Sequence, residues 1–337
     1  MGGSGGIITR FYNAFRQKFA APSPMLLKIL GNGLPPVAWA SSSVIYLVEH
    51  PLVARILARK GLLVFYIHGE IAAPKECAIP DISPAFAGQC FVPLESTKEE
   101  MVNWGAKPES IIVTGLVIEP ELLSGAKKSF NLRILRLTAK EPLTVAFFIS
   151  QAYPKPHIAK IKACVESVIS KGMKAIVFSG TDPNKARQFQ RIWLARPIRP
   201  DRQNLQIIMS KNRQEENKKT AELMDKIDIM VAAAHERTNW AIGLGLPMFV
   251  LFPLIGTYAQ RNFDFALKRG VAYPLKTRED AKNLGARIIE LQINGSLAQM
   301  AKNGFSVYNL NGARAIAEFI HRWWIHKNRA TLPIINW

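Results

Sequence analysis

The chain has 337 residues, 48% of them hydrophobic, which is enough for two domains of ordinary size with substantial cores. Its formal charge of +19 is high for a small-molecule enzyme and favours polyanions: anionic lipid head groups, nucleic acid or phosphorylated substrates. Three widely spaced cysteines, Cys77, Cys90 and Cys164, fit neither a disulfide framework nor a zinc site, and no window reaches the roughly 18 apolar residues of a spanning helix.

GGSGG at 2–6 opens the chain, followed by apolar residues at helical spacing over 7–20. A glycine loop carrying Gly3, Gly5 and Gly6 ahead of a helix suits a phosphate or an acceptor, and would imply a missing preceding strand and a shortened N-terminus. The same glycines also read as an artificial flexible linker. Short strands are expected at 44–48 and 62–67, with a helix between them closed by Gly61. The second strand ends in His68-Gly69-Glu70, where His68 or Glu70 is a candidate base. The bland alternative makes Glu70 a turn cap and His68 a backbone partner. A brief strand at 91–93, a helix from 95 capped by Ser96 or Thr97, and a strand at 111–114 follow.

Residues 116–130 read as irregular and hinge-like. Alternation then resumes: strand 143–150, helix 158–170, strand 175–180, a helix from Asp182-Pro183, strand 205–210 and helix 215–225. From 224 to 275 the order is strand, loop, helix, strand, polar loop, helix, strand. Strands alternating with helices predict an α/β chain with parallel sheets, and the restart predicts two doubly wound, Rossmann-like domains facing a cleft. The expected divisions are an N-terminal domain over 1–117, a linker over 118–142, a nucleotide-binding domain over 143–312, and a C-terminal helix and tail over 313–337. Basic charge concentrates late: residues 1–117 hold 10 Lys/Arg against 8 Asp/Glu, and the remainder 34 against 17.

In an open parallel sheet, ligands sit beyond the carboxyl ends of the strands. Two polar loops fall there, one with His235, Glu236, Arg237, Thr238 and Asn239, the other with Gly256, Thr257, Gln260, Arg261 and Asn262. Each precedes a helix whose N-terminal N–H groups favour an anion, so a nucleotide diphosphate is the expected ligand. Trp240 reads as a packing residue.

Two blocks carry a resemblance. PLESTKEEMVNWGAKPESIIVTGLVIEPEL at 93–122 is similar to the end of the N-terminal domain in GT-B glycosyltransferases. The branch is that of monogalactosyldiacylglycerol synthase and the peptidoglycan lipid-linked N-acetylglucosaminyltransferase. Residues 228–272 resemble that branch's donor-nucleotide region, with the turn Gly245-Leu246-Pro247 and Asn262 in the next helix. Ser150-Gln151 and Gly180 are placed like donor-loop residues at the ends of the first two strands of the second domain.

The resemblance implies the GT-B fold and a UDP-sugar donor held by Ser150, Gln151, Gly180, His235, Arg237, Thr238, Asn239, Gln260 and Asn262. It further implies an inverting hexosyl transfer, with no metal and no cofactor, to a lipid or membrane-bound acceptor. The chain departs from the family pattern: Ile7 stands where a His is usual, Trp240 where a ribose-binding Glu is common, and Ala234-His235-Glu236 replaces a glycine-rich turn. A catalytically impaired nucleotide-sugar-binding subunit is therefore the alternative, with a sugar-nucleotide epimerase of the same fold behind it.

Aromatic and basic residues in the first helix and around Arg322-Trp323-Trp324 suit an anionic head-group region. The expected location is cytoplasmic, peripheral on the inner face of the cell membrane. No motif for nucleic-acid recognition is present, and nucleic acid is not an expected partner.

Overall fold

A computed structural model describes residues 44–79, 82, 88–139, 141–150, 153–194 and 203–328. The expected glycine loop (Gly3, Gly5, Gly6), the helix at 7–20, Gln151 and the tail beyond 328 lie outside the described residues. The chain divides into two compact units. One holds 44–69, 75–118 and 309–328; the other holds 119–308 together with Glu70–Pro74. Among the described residues, no helix is long and apolar enough to cross a membrane.

The first unit is built on a four-stranded sheet, β1 (Tyr46–Val48), β2 (Val64–Ile67), β3 (Gln89–Val92) and β4 (Ile111–Val113). All pairings are parallel, in the order β1-β2-β3-β4. Helix α1 (Pro51–Arg59) connects β1 to β2, and His50 caps it, its Nδ1 accepting from Leu52 N at 3.2 Å. Helix α2 (Glu95–Asn103) follows β3. Its N-cap is Leu94, not the expected Ser96 or Thr97. Ser96 and Thr97 are the second and third residues of the helix, already past the cap position.

The last helix of the chain, Gly312–Asn328, belongs to this unit. Its Ile316, Phe319, Ile320 and Trp323 recur at helical spacing and form one apolar stripe. The stripe packs on Leu63, Phe65 and Phe91. Ring centroids lie 5.3 Å apart for Phe65–Trp323 and 5.4 Å for Phe91–Phe319, both edge to face. Trp323, one of the expected head-group residues, is therefore half-buried against this core.

The second unit contains a six-stranded parallel sheet: β5 (Thr144–Phe148), β6 (Lys174–Phe178), β7 (Leu205–Ile208), β8 (Ile229–Ala232), β9 (Met248–Leu251) and β10 (Ala272–Leu275). The order is β10-β9-β8-β5-β6-β7. The chain runs outward from β5 on one side, then returns beside β5 and runs outward on the other. This is the Rossmann-like order, with its switch point between β5 and β8. The strands are apolar almost throughout because helices cover both faces.

The stretch expected to be irregular is mostly helical. Pro120–Leu123 forms α3 and Ala126–Thr138 forms α4. Phe130, Ile134 and Leu137 of α4 pack on the sheet core. Between them Arg133 is fully buried, and this charge inside an apolar stripe disguises the helix in the sequence. Its Nε donates to Ile227 O at 3.1 Å, and one terminal nitrogen donates to Leu244 O at 2.9 Å and Gly245 O at 3.1 Å. Burial holds its guanidinium down to about 10, still charged at neutral pH.

Arg133 thus ties α4 to the Gly245-Leu246-Pro247 turn ahead of β9. Gly245 has φ +60°, and a Cβ there would lie 2.6 Å from Ala301 O, so only glycine fits. The next helices of the unit are α5 (Lys155–Ser170), α6 (Pro183–Leu194), α7 (Arg213–Leu223), α8 (Thr238–Gly243), α9 (Ala259–Lys268), α10 (Arg278–Lys282) and α11 (Leu284–Ile293). α12 (Ser296–Gly304) then precedes the C-terminal helix, here α13.

Arg133→Ala strands three buried carbonyl oxygens. It should destabilise the second unit by roughly 3 kcal/mol, since hydrogen bonds from a charged donor contribute about 1.5–3 kcal/mol each and are not additive. Urea unfolding followed by tryptophan fluorescence measures this; an unchanged midpoint contradicts it.

Candidate functional site

Three loops matter at the carboxyl edge of the six-stranded sheet: the one entered at Ile149-Ser150 after β5, 233–237 after β8 and 252–258 after β9. The last two are joined. Gly256, with φ +97°, lies so close to the His235 ring that a Cβ there would sit 3.0 Å from Cε1. The His235 ring also hydrogen-bonds the Ile255 backbone, and burial holds its pKa below the ordinary value, so it is neutral at pH 7. The β9 loop is fixed from below by α5. His157 Nε2 donates to Pro253 O at 2.8 Å, and Lys160 Nζ donates to Phe252 O at 2.6 Å and Leu275 O at 2.9 Å. Burial pushes the pKa of both groups down.

Asn262, in the first turn of α9, is completely buried. Its Oδ1 accepts from Ala72 N at 3.1 Å. Its Nδ2 donates to Glu70 Oε2 at 2.7 Å and to Ala234 O at 3.3 Å. Next to it, Arg261 donates to Ala73 O at 3.4 Å. The segment Glu70–Pro74 is thereby part of the same unit as α9 and the β8 loop. Glu70 Oε1 makes no hydrogen bond among the described residues. Burial raises the Glu70 carboxyl to about 7, the Asn262 bond pulls it back, and the negative charge of Glu236 adds to the rise.

The arginine of the β8 loop itself is consumed internally. Arg237 is buried, with its guanidinium 4.2 Å from the Phe148 ring centroid and 4.5 Å from that of Trp240. It donates to Glu216 of α7 at 2.6 Å. Its second terminal nitrogen and the Thr238 hydroxyl are buried without a hydrogen-bond partner among the described residues. Trp240 is a buried packing residue whose Nε1 donates to Glu119 at 2.8 Å. Arg213 binds Glu119 at 3.0 Å and Glu236 at 3.1 Å, and these neighbours hold its pKa above the usual value.

Of the expected residues, Glu70, His235, Arg237, Thr238, Asn239 and Asn262 lie on linked segments of one unit. Ser150 ends the β5 loop and accepts from Tyr153 N at 2.9 Å, and Gly180, with φ +80°, follows β6. Gln260 donates to Asp264 of its own helix at 2.8 Å. His68 belongs to the other unit, where its Nδ1 lies 3.0 Å from the Tyr66 hydroxyl in a buried setting. Glu119, His157, Lys160, Arg213 and Glu216 escaped the sequence reading. Glu119 stands before a proline and Arg213 after the helix cap Asn212, so both look like ordinary helix starts. Among the described residues, no group of three or more His, Cys, Asp or Glu side chains is arranged to hold a metal ion.

No protein-family model matches the chain, and no curated protein matches it. Solved structures do. A Staphylococcus aureus MnaA structure with UDP superposes with a TM-score of 0.55 at 12% identity, covering 83% of this chain and 74% of that one. A candidate UDP-N-acetylglucosamine 2-epimerase of Listeria monocytogenes gives 0.53 at 15%, covering 90% and 80%. A further UDP-N-acetylglucosamine 2-epimerase gives 0.51 at 13%, covering 92% and 78%. At this identity the likeness concerns the fold: the chain is an α/β protein of two Rossmann-like domains of the GT-B kind.

The raised Glu70 pKa has a consequence for stability. The unfolded carboxyl ionises near its model value of 4.5, while the folded one keeps its proton to about 7. The folded state therefore binds more protons between these values, and this group's contribution to stability falls as pH rises through the window. Glu70→Gln keeps an acceptor for Asn262 without the charge. Its melting temperature should exceed the parent's at pH 8 and match it at pH 4. Equal differences at both pH values would contradict a buried, proton-retaining Glu70.

Proposed function

We propose that this chain is a carbohydrate-active enzyme that transfers a hexosyl group from a nucleotide-sugar, a UDP-sugar, to a hydroxyl of a lipid or membrane-associated acceptor. The juxtaposition of Glu70 with the loops after β8 and β9, at the carboxyl edge of a Rossmann-like sheet, carries this reading. That edge is where open α/β sheets bind ligands. The names of the superposed structures, two of them 2-epimerases and one a UDP complex, support a UDP-sugar as the donor.

Glu70 Oε1 is the open carboxylate oxygen, and a group titrating near 7 is matched to proton transfer at neutral pH. In the proposed step it takes the proton of the acceptor hydroxyl. The acceptor oxygen forms a bond to the anomeric carbon from the face opposite the donor phosphate. The bond from that carbon to the β-phosphate oxygen breaks, and its electron pair leaves with UDP, inverting the centre. The positive end of α9 offsets charge growing on the diphosphate. No metal is required for this sequence.

Membrane association is part of the proposal. Trp323 is half-buried against the core, but Trp324 is 41% exposed and Ile325 37% exposed, on a helix that also carries Arg322 and Lys327. An anionic inner-leaflet surface suits that combination.

A second reading is a sugar-nucleotide epimerase, favoured by the names of the superposed structures. Product analysis separates the two: radiolabelled UDP-glucose and UDP-N-acetylglucosamine are incubated with and without lipid vesicles. Label entering the lipid phase supports transfer. A changed sugar on intact UDP without vesicles supports epimerisation, and binding with no product supports an impaired subunit. Glu70→Gln should lower turnover by about 10²–10⁴-fold with donor binding retained, the range for loss of a positioned base. Flotation with anionic vesicles should weaken at high salt and with Trp324→Ser; salt-independent flotation contradicts the electrostatic part.

A further inference from the structure

We infer that Asn262 is a positioning residue for the Glu70 carboxylate, holding one oxygen so that the other is presented to the acceptor hydroxyl; this rests on the reading of Glu70 as the base. Asn262 does not act as a donor-sugar contact, because its amide is spent. A primary amide has two N–H donors and one carbonyl oxygen. Both donors are used, on Glu70 Oε2 and Ala234 O, and the oxygen accepts from Ala72 N. The side chain is completely buried, so no ligand replaces these partners without breaking them.

The arrangement does two things at once. The bond to Ala72 N fixes the backbone two residues beyond Glu70, and the bond to Oε2 fixes the carboxylate itself. Together they remove the rotations that would take Oε1 away from the sheet edge. Ala234 O anchors the amide plane to the β8 loop, so the base keeps register with the loop holding His235. Positioning of this kind is what near-attack geometry requires, and small displacements are costly in rate.

The same bond tunes proton affinity. Glu236 from the β8 loop faces Glu70 and raises its pKa, while Asn262 lowers it. Glu236 is itself held by Arg213 of α7 at 3.1 Å, and Arg261 of α9 is engaged nearby with Ala73 O. His235 in the same loop is neutral near pH 7 and contributes no compensating charge.

The test uses the full chain with Asn262→Ala and the isosteric Asn262→Asp, beside Glu70→Gln. One readout needs no turnover: the carboxyl infrared band of Glu70, isolated by subtracting Glu70→Gln, titrated with pH. Both Asn262 variants should move that midpoint upward, Asn262→Asp further because it sets a second carboxylate against the first. The second readout is the pH profile of UDP release from UDP-glucose over diacylglycerol vesicles. Its acidic limb should move with the infrared midpoint, kcat falling at least tenfold while KM for the donor changes less than twofold.

If Glu70→Gln retains turnover, Glu70 is not the base, and the reading beneath the inference has failed. If Glu70→Gln abolishes turnover but both Asn262 variants, shown folded by circular dichroism, leave the midpoint and limb in place, the inference is overturned. A loss confined to KM likewise overturns it, since that marks Asn262 as a donor contact. If no variant or parent turns over, the infrared midpoint decides: an unmoved band refutes the inference.

Discussion

A buried primary amide has no water to fall back on, so each of its polar atoms must find a protein partner or destabilise the fold by about 1–3 kcal/mol. Asn262 meets that demand by reaching three separate backbone or side-chain groups, from Glu70 to Ala234. Its constraint places Glu70, an acid that follows β2 in sequence, beside loops of a sheet whose first strand begins at Thr144. Arg261 of α9 adds a second tie to the same segment through Ala73 O. The chemistry proposed for the site depends on that single amide.

The charge of the whole chain and the charge of the site run in opposite directions. A chain with 44 Lys and Arg against 25 Asp and Glu carries Glu70, Glu119, Glu216 and Glu236 around its β8 loop. The two arginines among them are already bonded: Arg213 bridges Glu119 and Glu236, and Arg237 is pinned by Glu216 between two aromatic rings. The basic surplus therefore acts at long range, drawing anions toward the molecule. At short range, backbone N–H groups and the α9 dipole are what remains to meet the diphosphate of the proposed donor. A donor held mainly by backbone fits a loop whose side chains are turned inward.

The α/β class and the two Rossmann-like domains were legible because alternation of short apolar strands with helices has one common solution, a parallel sheet covered on both sides. The polar loops at 233–239 and 256–262 stood out because polar residues clustered immediately after apolar strands. The roles inside those loops were not legible. Arg237 reads as a diphosphate ligand until Glu216, Phe148 and Trp240 are seen around it, and none of the three is near it on the chain except Trp240. Asn262 reads as a sugar contact until its three partners are counted. Helix α4 was hidden because Arg133 interrupts its apolar stripe, and a buried arginine is interpretable only with the carbonyls it serves. In each case the deciding contact spans more than twenty residues of sequence, or joins a side chain to backbone, which periodicity does not encode.

The burial of Glu70 is the strongest support for the use proposed for the site. Its burial opposes its ionisation, and among the described residues no arginine or lysine forms a salt bridge with it to offset the cost. Arg213 pairs with the neighbouring Glu236 and is spent there. For stability alone a glutamine would satisfy Asn262 equally well and carry no charge. Residues that break the local rules for stable packing concentrate where function requires them. A carboxyl raised to about 7, with one oxygen fixed by an amide, suits the role of base proposed for it. Arg133 and Lys160 make the contrast clear. Both are charged groups satisfied by carbonyl oxygens, with their bonds directed at holding loops in place. Glu70 alone among these three groups keeps a polar atom without a hydrogen bond among the described residues.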